Sequence, residues 1–480
     1  MKKYILKTLI TFIVFSVCFS VKAQTTDSLT FYLEIAARNN PIVLQKYNDY
    51  QAALRKVTQV GSLPDPELSI GVFLSPMEIV NGKQVADIRL MQMFPWFGVL
   101  KNAKDEMSLM AKANFESLRQ AKLQVFYDVQ STWYELIKVR KDIAITEKNV
   151  DLLKTIERLA IVRYSVSSIS NNNSSSTSKR MSNGTTQDAT YNNSSMGSMS
   201  GGSTDLLNST GSQQQAAMQN SSMGEQSGGS SLSDLYRIQI EVGDLNNSIA
   251  LLKNQQNTIV ARFNSYLNRP IKSKIETPQI VMIDSIPLPM ESISDSILAN
   301  NPMLSMINYE KQSINARQRM VTKMGYPMVG IGLNYSLINK NPMSTSSMNG
   351  KDMFMPMVTV TLPIYRKKYN AMQSEAKYQQ LANEQNYSST ANALQVEYTE
   401  AIQLNQDASR RVNLYDSQNQ LAQKTLDIMI RSFSTSNANL SDILRTRQQL
   451  LDYETKKIEA IADFNISVAL IKKLMASTYL

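Results

Sequence analysis

The sequence predicts a mainly α-helical chain that carries membrane-type β-strands, in which a unit of helix, strand, strand, long helix and helix occurs twice. Three observations lead there. A helical pattern from about Leu100 to Arg163 covers about 65 residues, roughly 97 Å at 1.5 Å per residue, several times an ordinary globular helix. The run before it, Val85–Phe94 (V-A-D-I-R-L-M-Q-M-F), has the length and alternation of a tilted strand with one face to hydrocarbon and one to water. The joints also recur: Asn39-Asn40-Pro41 returns as Asn300-Asn301-Pro302, Gly61-Ser62-Leu63-Pro64 as Gly325-Tyr326-Pro327, Phe94-Pro95-Trp96-Phe97 as Leu362-Pro363-Ile364-Tyr365, and Leu232-Ser233-Asp234-Leu235 as Leu440-Ser441-Asp442-Ile443.

Residues 1–23 read as a secretory signal: Met1-Lys2-Lys3, an apolar run from Tyr4 to Val21, then Lys22-Ala23, with cleavage expected after Ala23. The alternative is a lipid on Cys18, against which Val17 places a branched residue where a small one is usual. With the signal removed the chain has neither cysteine nor histidine. That excludes disulfides, thiolate or imidazole metal sites and His-dependent catalysis.

The first repeat, 24–268, opens with a helical pattern broken before Pro41, because the residue preceding proline disfavours the helical region. Strands are expected at about 67–74 and 85–94, with a polar loop over Ser75–Gln84 between them. After the long helix, about 165–231 is rich in Ser, Asn, Gly and Met and almost without aliphatic side chains, so it is expected to be a disordered loop. Helical periodicity returns from Leu232 to about Leu267. A linker at 269–290 carries Pro270, Pro278, Pro287 and Pro289. The second repeat, 291–480, has strands at about 329–337 and 353–362, a long helix to Ser432 and a last helix to about Met475. There Arg431 and Leu440 are close in sequence where Arg163 and Leu232 are not, so the low-complexity stretch is an insertion at one hairpin tip.

Beyond the signal no apolar run approaches the roughly 20 residues of a membrane helix, so any crossing must use strands. The net charge of +10 comes from Lys and Arg spread among Glu and Asp on helices. This is the pattern of solvated faces and not of a nucleic-acid site. No phosphate-cradling glycine loop or nucleophile elbow appears, so no enzyme and no cofactor is expected.

The order of elements, with its Pro-aromatic joints and small-residue tips, resembles the TolC-type outer-membrane efflux proteins from about Ser28 to Met475, and within them the CusC/CzcC-like heavy-metal branch. The resemblance implies a homotrimer. Each protomer would give four strands to one twelve-stranded β-barrel, continued by a long α-helical barrel through the periplasm, in partnership with a periplasmic adaptor (membrane fusion) protein, an inner-membrane RND-type pump and the lipid of the outer membrane. Elementary physics agrees on one point: four strands leave two open edges, which hydrocarbon does not tolerate, so the sheet must close with neighbours.

Three groups of residues are candidate sites. In TolC-type channels an acidic residue just beyond the tip helps to constrict the periplasmic entrance. Asp234 and Asp442 match that place, with Tyr164 and Phe433 in the aromatic positions; the plain reading is that each acid caps its helix. Strand parity sets Ile88, Leu90, Val329, Ile331, Leu333, Val358 and Val360 toward lipid. It sets Asp87, Arg89, Met91, Met93, Met328, Met355, Met357 and Thr359 toward the lumen, with Gln92 fitting poorly. Of the 26 methionines, Met181, Met196, Met199, Met218 and Met223 lie in the tip insertion. Thioethers are soft ligands suited to Cu(I) and Ag(I), whereas plain flexible packing or drifted sequence explains methionines equally. The leading expectation is an exit duct for heavy-metal cations. A duct for drugs or other organic solutes and a periplasmic coiled-coil scaffold without a pore are the alternatives.

Overall fold

The computed structural model describes residues 29–172, 230–278, 283–284, 290–434 and 439–476. The expected signal, Cys18 and most of the tip insertion lie outside them. The described residues form eight helices and four strands: α1 (Leu29–Asn39), α2 (Pro41–Val60), β1 (Glu67–Ile79), β2 (Gly82–Phe94), α3 (Val99–Asn172), α4 (Ser230–Tyr266), α5 (Met290–Asn300), α6 (Pro302–Met324), β3 (Met328–Asn339), β4 (Met353–Thr361), α7 (Arg366–Ser434) and α8 (Leu440–Leu474). No helix among the described residues is long and apolar enough to cross a membrane.

Both proline-marked breaks are built alike. Asn40, in extended conformation, caps α2 by accepting from the amides of Ile42 at 2.9 Å and Val43 at 3.4 Å, and its Nδ2 donates to the Tyr266 carbonyl at 2.9 Å. Asn301 caps α6 by accepting from the Met303 amide at 2.9 Å and donates to the Leu474 carbonyl at 3.1 Å. Each asparagine is 2% exposed. One buried side chain thus satisfies the orphan donors at a helix start and an orphan carbonyl at the end of the returning helix. Proline at the first helical position costs nothing there, because its missing N–H would have had no helical partner.

The four strands form one antiparallel sheet in the order β1-β2-β3-β4, which leaves β1 and β4 as edges. The expected polar loop over Ser75–Gln84 gives way to strand: β1 and β2 run on to a two-residue turn at Val80-Asn81, closed by Gly82 at φ +130°. Pro76 falls where the ladder is interrupted between Val72 and Met77. A proline with no donor is tolerated at such a bulge on an edge strand. β3 is likewise longer than expected, starting at Met328 and ending at Asn339, while β4 stops one residue short at Thr361.

Helix α3 continues to Asn172, past the expected end at Arg163. Adding residues to an existing helix costs only tenths of a kcal/mol each for serine or asparagine, whereas nucleating one is expensive.

The chain divides into two compact units. One comprises Met1–Thr146, Ser248–Thr425 and Thr446–Leu480; the other comprises Glu147–Asn247 and Leu426–Arg445. The first contains the sheet and two buried clusters. One is aromatic: Tyr32 meets Trp133 at 5.3 Å and Phe263 at 5.1 Å between ring centroids. The other is aliphatic, around Ile293, Ile297, Leu304, Leu394, Ile471 and Leu474. The second unit buries Leu153, Ile156, Ile238, Leu426, Phe433, Leu440 and Ile443.

Candidate transport path

The register sorts the sheet side chains by face. Leu90 pairs with Leu68 and Leu333, Ile88 with Ile70 and Tyr335, Ile331 with Val358, and Val329 with Phe94 and Val360. Directly paired residues share a face, so these form one apolar surface, and most of them are exposed. Gln92 pairs with Ile331 on the same surface. Its amide donates to the Pro64 carbonyl at 2.7 Å and the Met93 carbonyl at 3.0 Å, which accounts for a polar residue there.

The opposite face carries Arg89, paired with Ser69 and Asn334; Met91, paired with Glu67 and Gly332; Met93, paired with Gly330; Met328, paired with Thr361; Met355, paired with Asn334; and Met357, paired with Gly332. Asp87 and Thr359 share it. The structure adds Met353, which pairs with Ser336; the two-residue periodicity of β4, carried back from Met355 to the first residue of the strand, finds it. Glycine makes room for the long side chains: a Cβ at Gly330 would stand 2.5 Å from the Met93 sulfur, and one at Gly71 2.5 Å from the Asp87 carboxylate. On β3 the residues of this face, Gly330 to Ser336, are buried while their odd-numbered neighbours are exposed.

Beyond the sheet's far end the segment between β3 and β4 is tied down. Asn349 donates to the carbonyls of Asn341 at 2.8 Å and Ser344 at 3.0 Å, and the Gly350 amide donates to the Asn81 carbonyl at 2.8 Å. At the near end the joint turns through Gly98, with φ +84°. Trp96 there stacks on Tyr326 at 5.3 Å with planes 16° apart.

In the second unit the two tip motifs come together: Arg237 Nη1 donates to Ser441 Oγ at 2.9 Å. Asp442 is exposed in the first turn of α8, where a carboxylate is favoured by the helix dipole. Asp234 is half-buried. Because α4 begins at Ser230, it falls beyond the first turn, and the capping reading does not fit it. Phe433 is 3% exposed, packed inside the unit. Tyr164 lies in α3. Met181, Met196, Met199, Met218 and Met223 lie outside the described residues. Among the described residues no group of three or more Cys, Asp or Glu could hold a metal ion.

One titratable site was not expected from sequence. Asp142 on α3 is buried, its Oδ1 has no hydrogen-bond partner, and desolvation pushes its carboxyl up to about 6 against a smaller opposing pull from Lys138. Lys138 is held by Glu459 at 2.8 Å.

Residues 293–477 match the outer membrane efflux protein family. No curated protein matches the chain. Solved structures match over nearly its whole length. CusC, studied for its folding and transmembrane channel formation, has a TM-score of 0.68 at 12% identity, covering 94% of this chain and 92% of that one. VceC of Vibrio cholerae gives 0.65 at 12% identity, with 93% and 95% covered. The open-state MtrE channel of Neisseria gonorrhoeae gives 0.68 at 12%, with 94% and 89% covered. The chain thus has the fold of these solved channels.

Proposed function

We propose that this protein is an outer-membrane channel, the exit duct of a tripartite, RND-type efflux system, working as a homotrimer with a periplasmic adaptor and an inner-membrane pump, and that its cargo is a soft heavy-metal cation such as Cu(I) or Ag(I). The observation that carries the duct is the two-faced sheet. Its apolar side is exposed, its other side bears charged groups, glycines and methionines, and among the described residues β1 and β4 are its edges. Three copies joined edge to edge would remove every open edge and give twelve strands. Exposed apolar side chains along α7, among them Val396, Leu414 and Leu421, support lateral neighbours in the helical part.

The cargo reading rests on thioethers. Met91, Met93, Met328, Met353, Met355 and Met357 share the inward face, and sulfur donors favour soft cations. The tip residues Met181, Met196, Met199, Met218 and Met223 would offer the same chemistry at the entrance. Asp234 and Asp442 would form the charged constriction there, with Tyr164 and Phe433 holding the helix ends.

The test has two arms. Changing the six inward methionines to leucine is expected to lower copper and silver tolerance several-fold in cells that depend on this channel, with resistance to organic solutes unchanged. Equal metal tolerance removes the cargo reading and leaves the duct. Changing Asp234 and Asp442 together to alanine is expected to raise single-channel conductance in planar bilayers, because it removes charge from a narrow ring; a channel-free protein would overturn the duct itself.

A further inference from the structure

Beneath the first joint lies a cleft of about 530 Å³ that the transport path does not use. Its walls include Leu63, Phe94, Trp96, Leu100, Val329 and Ile331. We propose that it binds one phospholipid of the periplasmic leaflet, with an acyl chain in the cleft and the anionic headgroup at Lys323 and Lys104.

Four observations converge on that occupant. First, Phe94, Val329 and Ile331 belong to the apolar face of the sheet, so the cleft continues the surface that meets hydrocarbon. Second, it lies under β2 and β3, the inner pair, whereas neighbouring copies would join at β1 and β4. That leaves the cleft to lipid and not to a second copy. Third, its polar end is cationic. A Cβ at Gly98 would be 3.1 Å from Lys323 Nζ, and one at Gly61, two residues from Leu63, would be 3.3 Å from the stem of Lys104. An apolar cleft with the Lys323 ammonium beside Gly98 on its wall and the Lys104 stem close by is complementary to an acyl chain ending in a phosphate. Fourth, Trp96 stacked on Tyr326 is the amphipathic pair expected at the level of the headgroups.

The cleft of about 570 Å³ at the second joint is a useful contrast. It is lined by Thr322, Arg366, Tyr369, Asn370 and Gln373 beside Leu362 and Ile364, and it adjoins the edge strand β4. It has neither the apolar lining nor the inner position that an acyl chain requires.

The experiment uses the full-length protein reconstituted in phosphatidylcholine vesicles that contain phosphatidylglycerol with dibrominated acyl chains. Bromine quenches indole on contact, and the chain has two tryptophans. Trp133→Phe removes the second, which is 3% exposed among helices, so that Trp96 alone reports. Trp96 is expected to be quenched at much lower mole fractions of brominated phosphatidylglycerol than of brominated phosphatidylcholine. Lys323→Gln with Lys104→Gln should weaken that preference about fivefold per lysine, the worth of a basic residue at an anionic surface. Raising salt on the unaltered protein should weaken it in the same direction, which keeps the test intact should the double variant misfold. Equal quenching by the two lipids, a preference that survives both the lysine changes and salt, or no quenching by either lipid would each overturn the proposal.

Discussion

The two halves of the chain fill equivalent interior positions with different chemistry. Tyr32 stands as far before the capping Asn40 as Ile293 does before Asn301. Trp133 is as far from Trp96 as Ala401 is from Ile364, and Phe263 as far from Tyr266 as Ile471 is from Leu474. All six are buried to 3% exposure or less. In the first half three rings meet within 5.7 Å of one another, and Arg269 lies 5.2 Å over the Tyr32 ring. In the second half the same places are aliphatic or alanine. The burial is a property of the backbone arrangement, held by the two asparagine caps. Side-chain identity is free so long as each site fills its own volume.

That contrast can be broken most strongly at its centre. Trp133→Ala should cost about 3–5 kcal/mol, because a large ring leaves a cavity, whereas Ala401→Val should cost about 1–3 kcal/mol by overpacking. Urea unfolding of the detergent-solubilised protein reads both, and equal costs would show that the two clusters are not comparable. Asn40→Ala and Asn301→Ala test the shared element. Each loses a cap and strands a carbonyl, at a cost of about 2 kcal/mol; a cost at only one would make the other half self-sufficient.

The smallest effect concerns charge. Asp142 is as far from Trp96 as Arg410 is from Ile364, yet only the first is buried. Its folded pKa of about 6 exceeds the usual 3.8, so ionising it costs the folded state. That cost is full above about pH 6 and gone below about pH 3.8. Asp142→Asn should therefore raise stability at pH 8, by on the order of 1 kcal/mol after discounting solvent screening, and change nothing near pH 4. Arg410→Gln, at an exposed pair with Asp407, should be close to neutral at both.

What sequence made legible was what local rules govern. Pro41 and Pro302 marked helix starts because proline excludes the preceding residue from the helical region. Alternation over Ile88–Met93 gave the two faces of β2 because the period of a strand is fixed. Residues whose roles depend on distant partners were opaque. Gln92 looked misplaced until Pro64 supplied its acceptor. The Tyr32–Trp133–Phe263 cluster joins three helices that no periodicity relates. Asp142 reads as one more helix charge until its burial is known. Val80-Asn81 was not legible as a tight turn within the polar run Ser75–Gln84, and only the interrupted ladder shows how an edge strand absorbs Pro76.

The inner pair of the sheet has a consequence for timing. β2 bonds to β3, so that Leu90 meets Leu333, and all of α3 and α4 lies between them in the chain. Pairing so remote in sequence forms late and slowly, after the entropy of closing a very long loop has been met. The first hairpin, complete in itself, must therefore wait without its inner neighbour until the second half has been made and delivered. During that interval its oily side and both of its edges are unprotected, the condition in which strands pair with the wrong neighbour.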